Sequence, residues 1–169
     1  MNEQRFDPLH LLQRLQAMEV RFILIGGLAA KAHGSPTFTV DIDICYARDA
    51  ENLERLASVL QEVGARLRGA PPNLPFHADR KTLERGDSFA FTTEYGDFDI
   101  LGSPAGVIGF DELDANAVEA ELDDGLVVRV ASLDDLIMMK RAAGRPKDRV
   151  ELEILGALRD EIDEQGSGA

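Results

Sequence analysis

Asp41 and Asp43 alternate with Val40, Ile42 and Ile44 in the run Val-Asp-Ile-Asp-Ile. Strict alternation is the mark of a strand, and its period of two puts both carboxylates on one face. Val40, Ile42 and Ile44 are then expected to face a core. Two acids side by side on a buried strand repel, and one takes up a proton unless a cation is supplied. A hard divalent cation with oxygen preference, Mg²⁺ or Mn²⁺, removes the conflict.

Gly26-Gly27 lies upstream, separated from that pair by the 13 residues Leu28 to Val40, directly after the apolar run Phe22-Ile23-Leu24-Ile25. Glycines between a strand and a helix let the backbone approach a ligand closely, and a helix N-terminus favours phosphate. A phosphate cradle and an acidic metal pair together point to a nucleoside triphosphate bound as its metal complex. A third feature lies far along the chain. Lys140, Arg141, Arg145 and Lys147 place four basic residues within eight positions of an acidic protein. Such a cluster suits triphosphate oxygens. Its plainer reading is charge at a helix end complementing the dipole.

The ordered set Gly26, Gly27, Ala29, His33, Gly34, Thr39, Asp41, Ile42 and Asp43 resembles the signature of the polymerase-β-type nucleotidyltransferase superfamily. In finer detail it is similar to the AbiEii-type toxin nucleotidyltransferases and their uncharacterised relatives. The segment Lys140 to Asp148 is similar to the Lys-x-x-x-x-Arg-x-Lys-Asp string of the same group, so the likeness reaches from about Phe22 to Leu158. One position departs: relatives often carry arginine two residues before the threonine, where this chain has Thr37. The resemblance implies a nucleotidyltransferase fold, α/β (α+β), with a small mixed sheet flanked by helices and C-terminal helices. It also implies a third acid. Asp99, in Phe98-Asp99-Ile100-Leu101, fits that place better than Asp97, which reads as a solvated acid near a turn.

The implied activity moves a nucleoside monophosphate from a triphosphate to an acceptor hydroxyl and releases pyrophosphate. Asp41, Asp43 and Asp99 would hold Mg²⁺ or Mn²⁺, and Asp99 could also draw the acceptor's proton. Gly26 and Gly27 would cradle phosphate. Lys140, with Arg145 or Lys147, would neutralise the triphosphate. The family likeness suggests a toxin of a toxin–antitoxin pair, with a tRNA or protein acceptor and a cognate antitoxin. The alternative is a catalytically inactive nucleotide-binding or interaction module of the same fold, favoured by Thr37 and the small size. An antitoxin-like regulator would need an exposed apolar helix face, and the sequence shows none.

The elements that must position these residues read in order. Leu9, Leu12, Leu15 and Met18 give a helix capped by Asp7, with His10 on its solvated side. Residues 21–25 form a strand, 26–33 a turn and short helix ending at His33, a capping residue there, and 40–46 the acidic strand. Asp49 to Val63 is amphipathic, with the stripe Leu53, Leu56, Ala57, Leu60 and Val63. Residues 69–75 form a Pro-rich loop and 79–84 a short helix. His77, Arg80 and Lys81 there read as solvated. Strands at 88–93 and 95–101 form a hairpin near Gly96, and 110–120 is weakly helical. A second hairpin spans 121–130 around Asp124-Gly125. Ser132 caps a helix with Asp135 at its third position. A last helix covers 148–162, and 165–169 reads as a frayed tail.

At 169 residues the chain is expected to be one domain, with residues 1–130 as a sheet core, 131–163 as C-terminal helices and 164–169 as a tail. Its net charge of −13 argues against broad nucleic-acid binding while leaving room for a local basic cleft. The single cysteine, Cys45, excludes an internal disulfide, fits a reducing cytoplasm, and reads as a small buried hydrophobe. No signal-peptide pattern or membrane-spanning run is present in the sequence.

Overall fold

The computed structural model describes residues 5–167. Its strands are β1 (Phe22–Ile25), β2 (Asp41–Tyr46), β3 (Arg66–Leu67), β4 (Ser88–Thr93), β5 (Gly96–Leu101), β6 (Val118–Glu121) and β7 (Val127–Val130). They form one seven-stranded sheet in the order β3-β4-β5-β2-β1-β7-β6. β2 runs parallel to β5 and β1 parallel to β7, while β1–β2, β3–β4, β4–β5 and β6–β7 are antiparallel. The helices are α1 (Pro8–Ala17), α2 (Gly26–Ala32), α3 (Ala50–Glu62), α4 (Arg80–Arg85), α5 (Phe110–Asn116), α6 (Leu133–Ala143) and α7 (Arg149–Ser167). The expected mixed sheet flanked by helices, with helices at the C-terminal end, is present.

Local signals account for most of these elements. The side chains of Asp7, Asp49, Asp79 and Ser132 each accept a backbone N–H in the first turn of α1, α3, α4 and α6. Gly144 ends α6 in the left-handed conformation. The stripe of α3 buries Leu53, Leu56, Leu60 and Val63 against the sheet, where Ile42, Ile44, Phe91, Phe98 and Ile100 are also buried. Complete burial of such a side chain is worth about 1.5–3 kcal/mol. Cys45 is fully buried, and that burial pushes its thiol up to about 12, which leaves it inert.

Several expectations are corrected. Val40 precedes β2 and is 51% exposed, because the sheet begins only at Asp41. In α1 the buried set is Leu11, Leu12 and Leu15, with Leu9 and Met18 only half-buried. His10 is exposed, as read, and its ring stacks on Tyr95 with centroids 4.5 Å apart. The helix from 110 stops at Asn116, and β6 begins at Val118, earlier than expected, because pairing with β7 overrides a weak helical propensity. β3 was not expected at all: two residues carry no periodicity. The last helix continues to Ser167, so the frayed reading of 165–167 does not hold, and residues 168–169 lie outside the described residues. None of the described helices is long and apolar enough to cross a membrane.

Candidate active site

The parallel pairing of β2 with β5 sets Asp41 opposite Asp97 and Asp43 opposite Asp99. All four carboxylates share one face of the sheet, since residues two apart on a strand point the same way. Asp43 and Asp99 are close enough to interact by hydrogen bond as well as by charge. Burial, then the charge of Asp99, their hydrogen bond and the charge of Asp41 push the Asp43 carboxyl up to about 7, against a counter-pull from Lys140. Asp97 differs from the sequence reading. It is half-buried in register with Asp41, and Thr92 Oγ1 lies 3.3 Å from its Oδ1.

Gly26 and Gly27 owe their identity to this cluster. Ile25, the last residue of β1, stands opposite Asp43, so the chain must turn directly over that carboxylate. Gly26 turns with φ +69°, and a Cβ there would overlap the Asp43 carboxyl group. A Cβ on Gly27 would lie 2.7 Å from Thr39 Oγ1. The glycine pair and the acidic pair are thus one packed unit, linked through Thr39, whose hydroxyl lies 3.4 Å from the Asp41 N–H. His33 ends α2, and its Nε2 lies 2.9 Å from the Ala131 carbonyl, a tie between α2 and the segment leading into α6. Thr37 is held in its loop by Ser35, which also reaches the buried Glu151.

The chain from residue 10 to residue 163 matches the profile of the family described as nucleotidyl transferase AbiEii toxin of type IV toxin–antitoxin systems. It belongs to that AbiEii family, and it is a nucleotidyltransferase. A search of curated proteins returned no sequence match. Among solved structures, the chain is similar to the lincomycin-bound lincosamide antibiotic adenylyltransferase LnuA, with a TM-score of 0.60 and 17% identity over 88% of this chain and 94% of that one. It is also similar to a nucleotidyltransferase-class protein of Thermotoga maritima, with a TM-score of 0.55 and 20% identity over 92% and 89% of the two chains. A third is the antibiotic-resistance factor ANT(2″)-Ia, with a TM-score of 0.54 and 15% identity over 93% and 89%. At these identities the likeness concerns the fold.

The basic residues of this AbiEii-family chain sit differently from one another. Lys140, in the last turn of α6, donates its Nζ to Asp148 Oδ1 at 3.1 Å. Arg145 donates Nε to Asp148 Oδ2 at 2.8 Å. Lys147 is exposed. Asp148 is only 3% exposed and joins two of the basic residues singled out from the sequence. Burial alone would raise its carboxyl, but the hydrogen bonds from Arg145 and Lys140 outweigh that and hold it below its ordinary value. The sequence signal for Asp148 was its place at the end of the Lys140 string.

A residue of the site that the sequence did not signal is Arg68. Its Nη2 donates to Asp99 Oδ1 at 2.6 Å and to the Phe91 carbonyl at 2.9 Å, and its Nε lies 3.4 Å from Asp97 Oδ2. Nothing in the Arg-Leu-Arg-Gly stretch signals this, because it depends on β3 pairing with β4.

The acidic set has the chemistry of a divalent-cation site. Its donors are all carboxylate oxygens, the kind Mg²⁺ and Mn²⁺ prefer. Burial first, then the neighbouring Asp99 and Asp41, hold the Asp43 carboxyl up, and a cation beside it would favour its ionised form. Among the described residues, no three His, Cys, Asp or Glu side chains stand in a ready coordination geometry. The residues fit the ion in type and charge. A cavity of about 660 Å³ lies beyond the other ends of β2 and β5, around Tyr46, Arg48 and Gly102, and does not include these acids.

Proposed function

We propose that Asp41, Asp43 and Asp99 form the catalytic centre of a nucleoside monophosphate transfer from a nucleoside triphosphate to an acceptor hydroxyl. The observation that carries this reading is the Asp43–Asp99 pair, ionisable groups forced together across parallel strands beneath the Gly26 turn. These three acids would hold Mg²⁺ or Mn²⁺, which when bound supplies positive charge to the triphosphate.

The chain's own residues then have separate tasks. The backbone at Gly26 and Gly27 receives phosphate oxygens, with no side chain in the way. Lys140 stands near enough to act on the charge of Asp43, and it faces the negative charge that gathers on the departing pyrophosphate. Arg145 and Lys147 extend that positive edge. Asp148 fixes the Lys140 ammonium and is a positioning residue. The acceptor oxygen bonds to the α-phosphorus, the bond from that phosphorus to the α,β-bridging oxygen breaks, and pyrophosphate leaves. Asp99 takes the hydroxyl proton.

Membership of the AbiEii family, described as toxins of type IV toxin–antitoxin systems, supports a toxin role with a cognate antitoxin. The acceptor in this reading is a tRNA or a protein, met in the cytoplasm. The chain's −13 charge leaves the Lys140–Arg149 edge as the place where a polyanionic acceptor would approach. The decisive experiment incubates the protein with each nucleoside triphosphate, Mg²⁺ or Mn²⁺, a tRNA pool and cell lysate, and follows pyrophosphate release and acceptor mass. One nucleotide should add a monophosphate to one class of acceptor, and Asp43→Asn should abolish the addition. The rival reading, an inactive module, draws on the Arg68–Asp99 ion pair. Triphosphate binding without pyrophosphate release under every condition would favour it.

A further inference from the structure

The third acid of the site is already held by a cation belonging to the chain. Arg68 follows the two-residue edge strand β3, whose Leu67 pairs with Phe91 of β4. This register delivers the guanidinium across β4 onto the acidic face of β5. One Nη2 group is shared between the Phe91 carbonyl at 2.9 Å and Asp99 Oδ1 at 2.6 Å. The Nε reaches toward Asp97 Oδ2 at 3.4 Å. Burial works against the guanidinium's charge, yet Asp99, Asp97 and Asp41 outweigh it and raise the group above its ordinary value. Asp41 acts on it as well, so the guanidinium lies within the field of the whole acidic row.

That placement creates a competition. Asp99 Oδ1 is a lone-pair donor that a divalent cation would use, and it is spent on Arg68. Lys140, the other cation near the acids, is itself tied to Asp148. We propose that Arg68 is a positioning residue of the transfer reaction, a tethered counter-ion that keeps Asp97 and Asp99 together on the cleft side until a divalent cation takes Asp99 from it. This rests on the reading of Asp41, Asp43 and Asp99 as the acidic centre. The bond to the Phe91 carbonyl need not break when Asp99 is released, so the displaced guanidinium stays beside the cleft. It then supplies positive charge to the bound nucleotide or acceptor, on the edge opposite Lys140. Thr37 brings no charge to the site, and Arg68 supplies one from another element.

The test compares Mn²⁺ binding by wild type, Asp43→Asn, Arg68→Met and Arg68→Lys, without nucleotide, by calorimetry and by melting temperature. Arg68→Met keeps the apolar stem but removes the charge. It should melt below wild type in chelator and yet bind Mn²⁺ tighter, by up to roughly fivefold, the range set by removing a partly exposed ion pair. Its gain in melting temperature on adding Mn²⁺ should exceed that of wild type. Arg68→Lys, which keeps charge but loses the fork, should fall between them. A purely structural arginine predicts the opposite: a loosened edge that binds the ion no better, or worse. Equal or weaker Mn²⁺ binding by Arg68→Met overturns the proposal. If wild type gains stability from Mn²⁺ and Asp43→Asn does not, the acidic centre stands whatever Arg68 does. If Arg68→Met binds Mn²⁺ and wild type does not, the guanidinium blocks the site outright and the proposed displacement is overturned. If neither binds it, both readings fall together. Should Arg68→Met fail to fold, Arg68→Lys decides on the same criterion, tighter binding supporting and equal binding overturning.

Discussion

Asp43 and Asp99 stand opposite each other on adjacent parallel strands, and the strand carrying Asp43 is the one over which the chain turns at Gly26. The two carboxylates come from segments 56 positions apart in the sequence. Their backbone positions cannot move apart without breaking the central pairing of the sheet. The repulsion is therefore a built property of the fold, and its consequences can be measured.

The first is a pH dependence. The folded chain holds the Asp43 carboxyl at about 7, whereas its ordinary value is 3.8. Between those values the folded state keeps a proton that the unfolded chain has released. Stability from this group is complete below the unfolded value and declines as pH rises toward about 7, beyond which it changes little. Asp43→Asn carries no charge at any pH and should flatten that part of the decline. Melting temperatures in chelator from about pH 4 to 8 give the slopes. Equal slopes in wild type and variant would show that Asp43 titrates normally.

Metal should reverse the trend. A divalent cation binds the ionised carboxylates, so Mg²⁺ or Mn²⁺ should raise the melting temperature more at about pH 8 than at about pH 5. At 100-fold excess over its dissociation constant, an ion that binds only the folded state adds about 2.7 kcal/mol. Asp43→Asn should lose most of this gain. A gain that is the same at both pH values would place the ion elsewhere.

Gly26→Ala tests the unit formed by the turn and the acid. The new methyl would meet the Asp43 carboxyl at a backbone φ of +69°. Strain of that kind costs on the order of 1–3 kcal/mol, and part of it is relieved by displacing Asp43. The variant should unfold at lower temperature and also lose metal-induced stabilisation. Gly27→Ala meets the Thr39 side chain at ordinary φ, so its loss should be smaller. A Gly26→Ala protein with wild-type stability and metal response would remove the close approach from the argument.

These residues also mark what the sequence made legible. Strand β2, the glycine turn and the Asp99 strand each carry a local pattern: alternation, paired glycines, an acid between apolar neighbours. Those patterns were enough to place Asp41 and Asp43 on one face, whereas Asp99 was joined to them by the family likeness and by a pairing that no local pattern states. The Lys140 string was visible as a run of charge. Arg68 was not, because its position depends on a two-residue strand that exists only through pairing with β4. Asp97 was misjudged for a related reason. Its setting is fixed by register with Asp41 and by Arg68, and neither partner is near it in sequence. Val40 fails the alternation rule because the rule does not say where pairing begins. Long-range register, more than local propensity, separates what was read from what was missed.

The Asp148 carboxylate holds Lys140 and Arg145 while only 3% exposed. Asp148→Asn leaves both cations without their counter-charge. Removing one partner of a buried pair costs about 3–5 kcal/mol, and the partial exposure of Lys140 and Arg145 reduces this to roughly 2 kcal/mol. Chemical denaturation measures that loss. Transfer activity should fall further than the fraction of folded protein accounts for, since the Lys140 ammonium is no longer aimed. Activity that tracks folded protein alone would make Asp148 a structural residue only.

Lys140 separates phosphate binding from structure. Its Nζ bonds to the buried Asp148, so Lys140→Ala does not behave as the loss of a free surface lysine. Arg145 still satisfies Asp148, and the stability cost should stay near 1 kcal/mol. Lys140 also draws the Asp43 carboxyl down. Its removal should therefore move the pH-dependent loss of stability to higher pH, an effect that a lysine remote from the acids does not produce. If the ammonium also faces the triphosphate, a charge-assisted bond of about 1.5–3 kcal/mol disappears with it. That is roughly a ten- to hundredfold loss in affinity or transfer rate. A contact that strengthens on the leaving pyrophosphate lowers kcat as well as affinity. Lys140→Arg keeps the charge and should recover part of the activity. Calorimetric titration with each triphosphate and Mg²⁺, beside single-turnover transfer, reads both quantities. Unchanged nucleotide affinity and transfer, together with an unmoved pH midpoint, would confine Lys140 to holding Asp148.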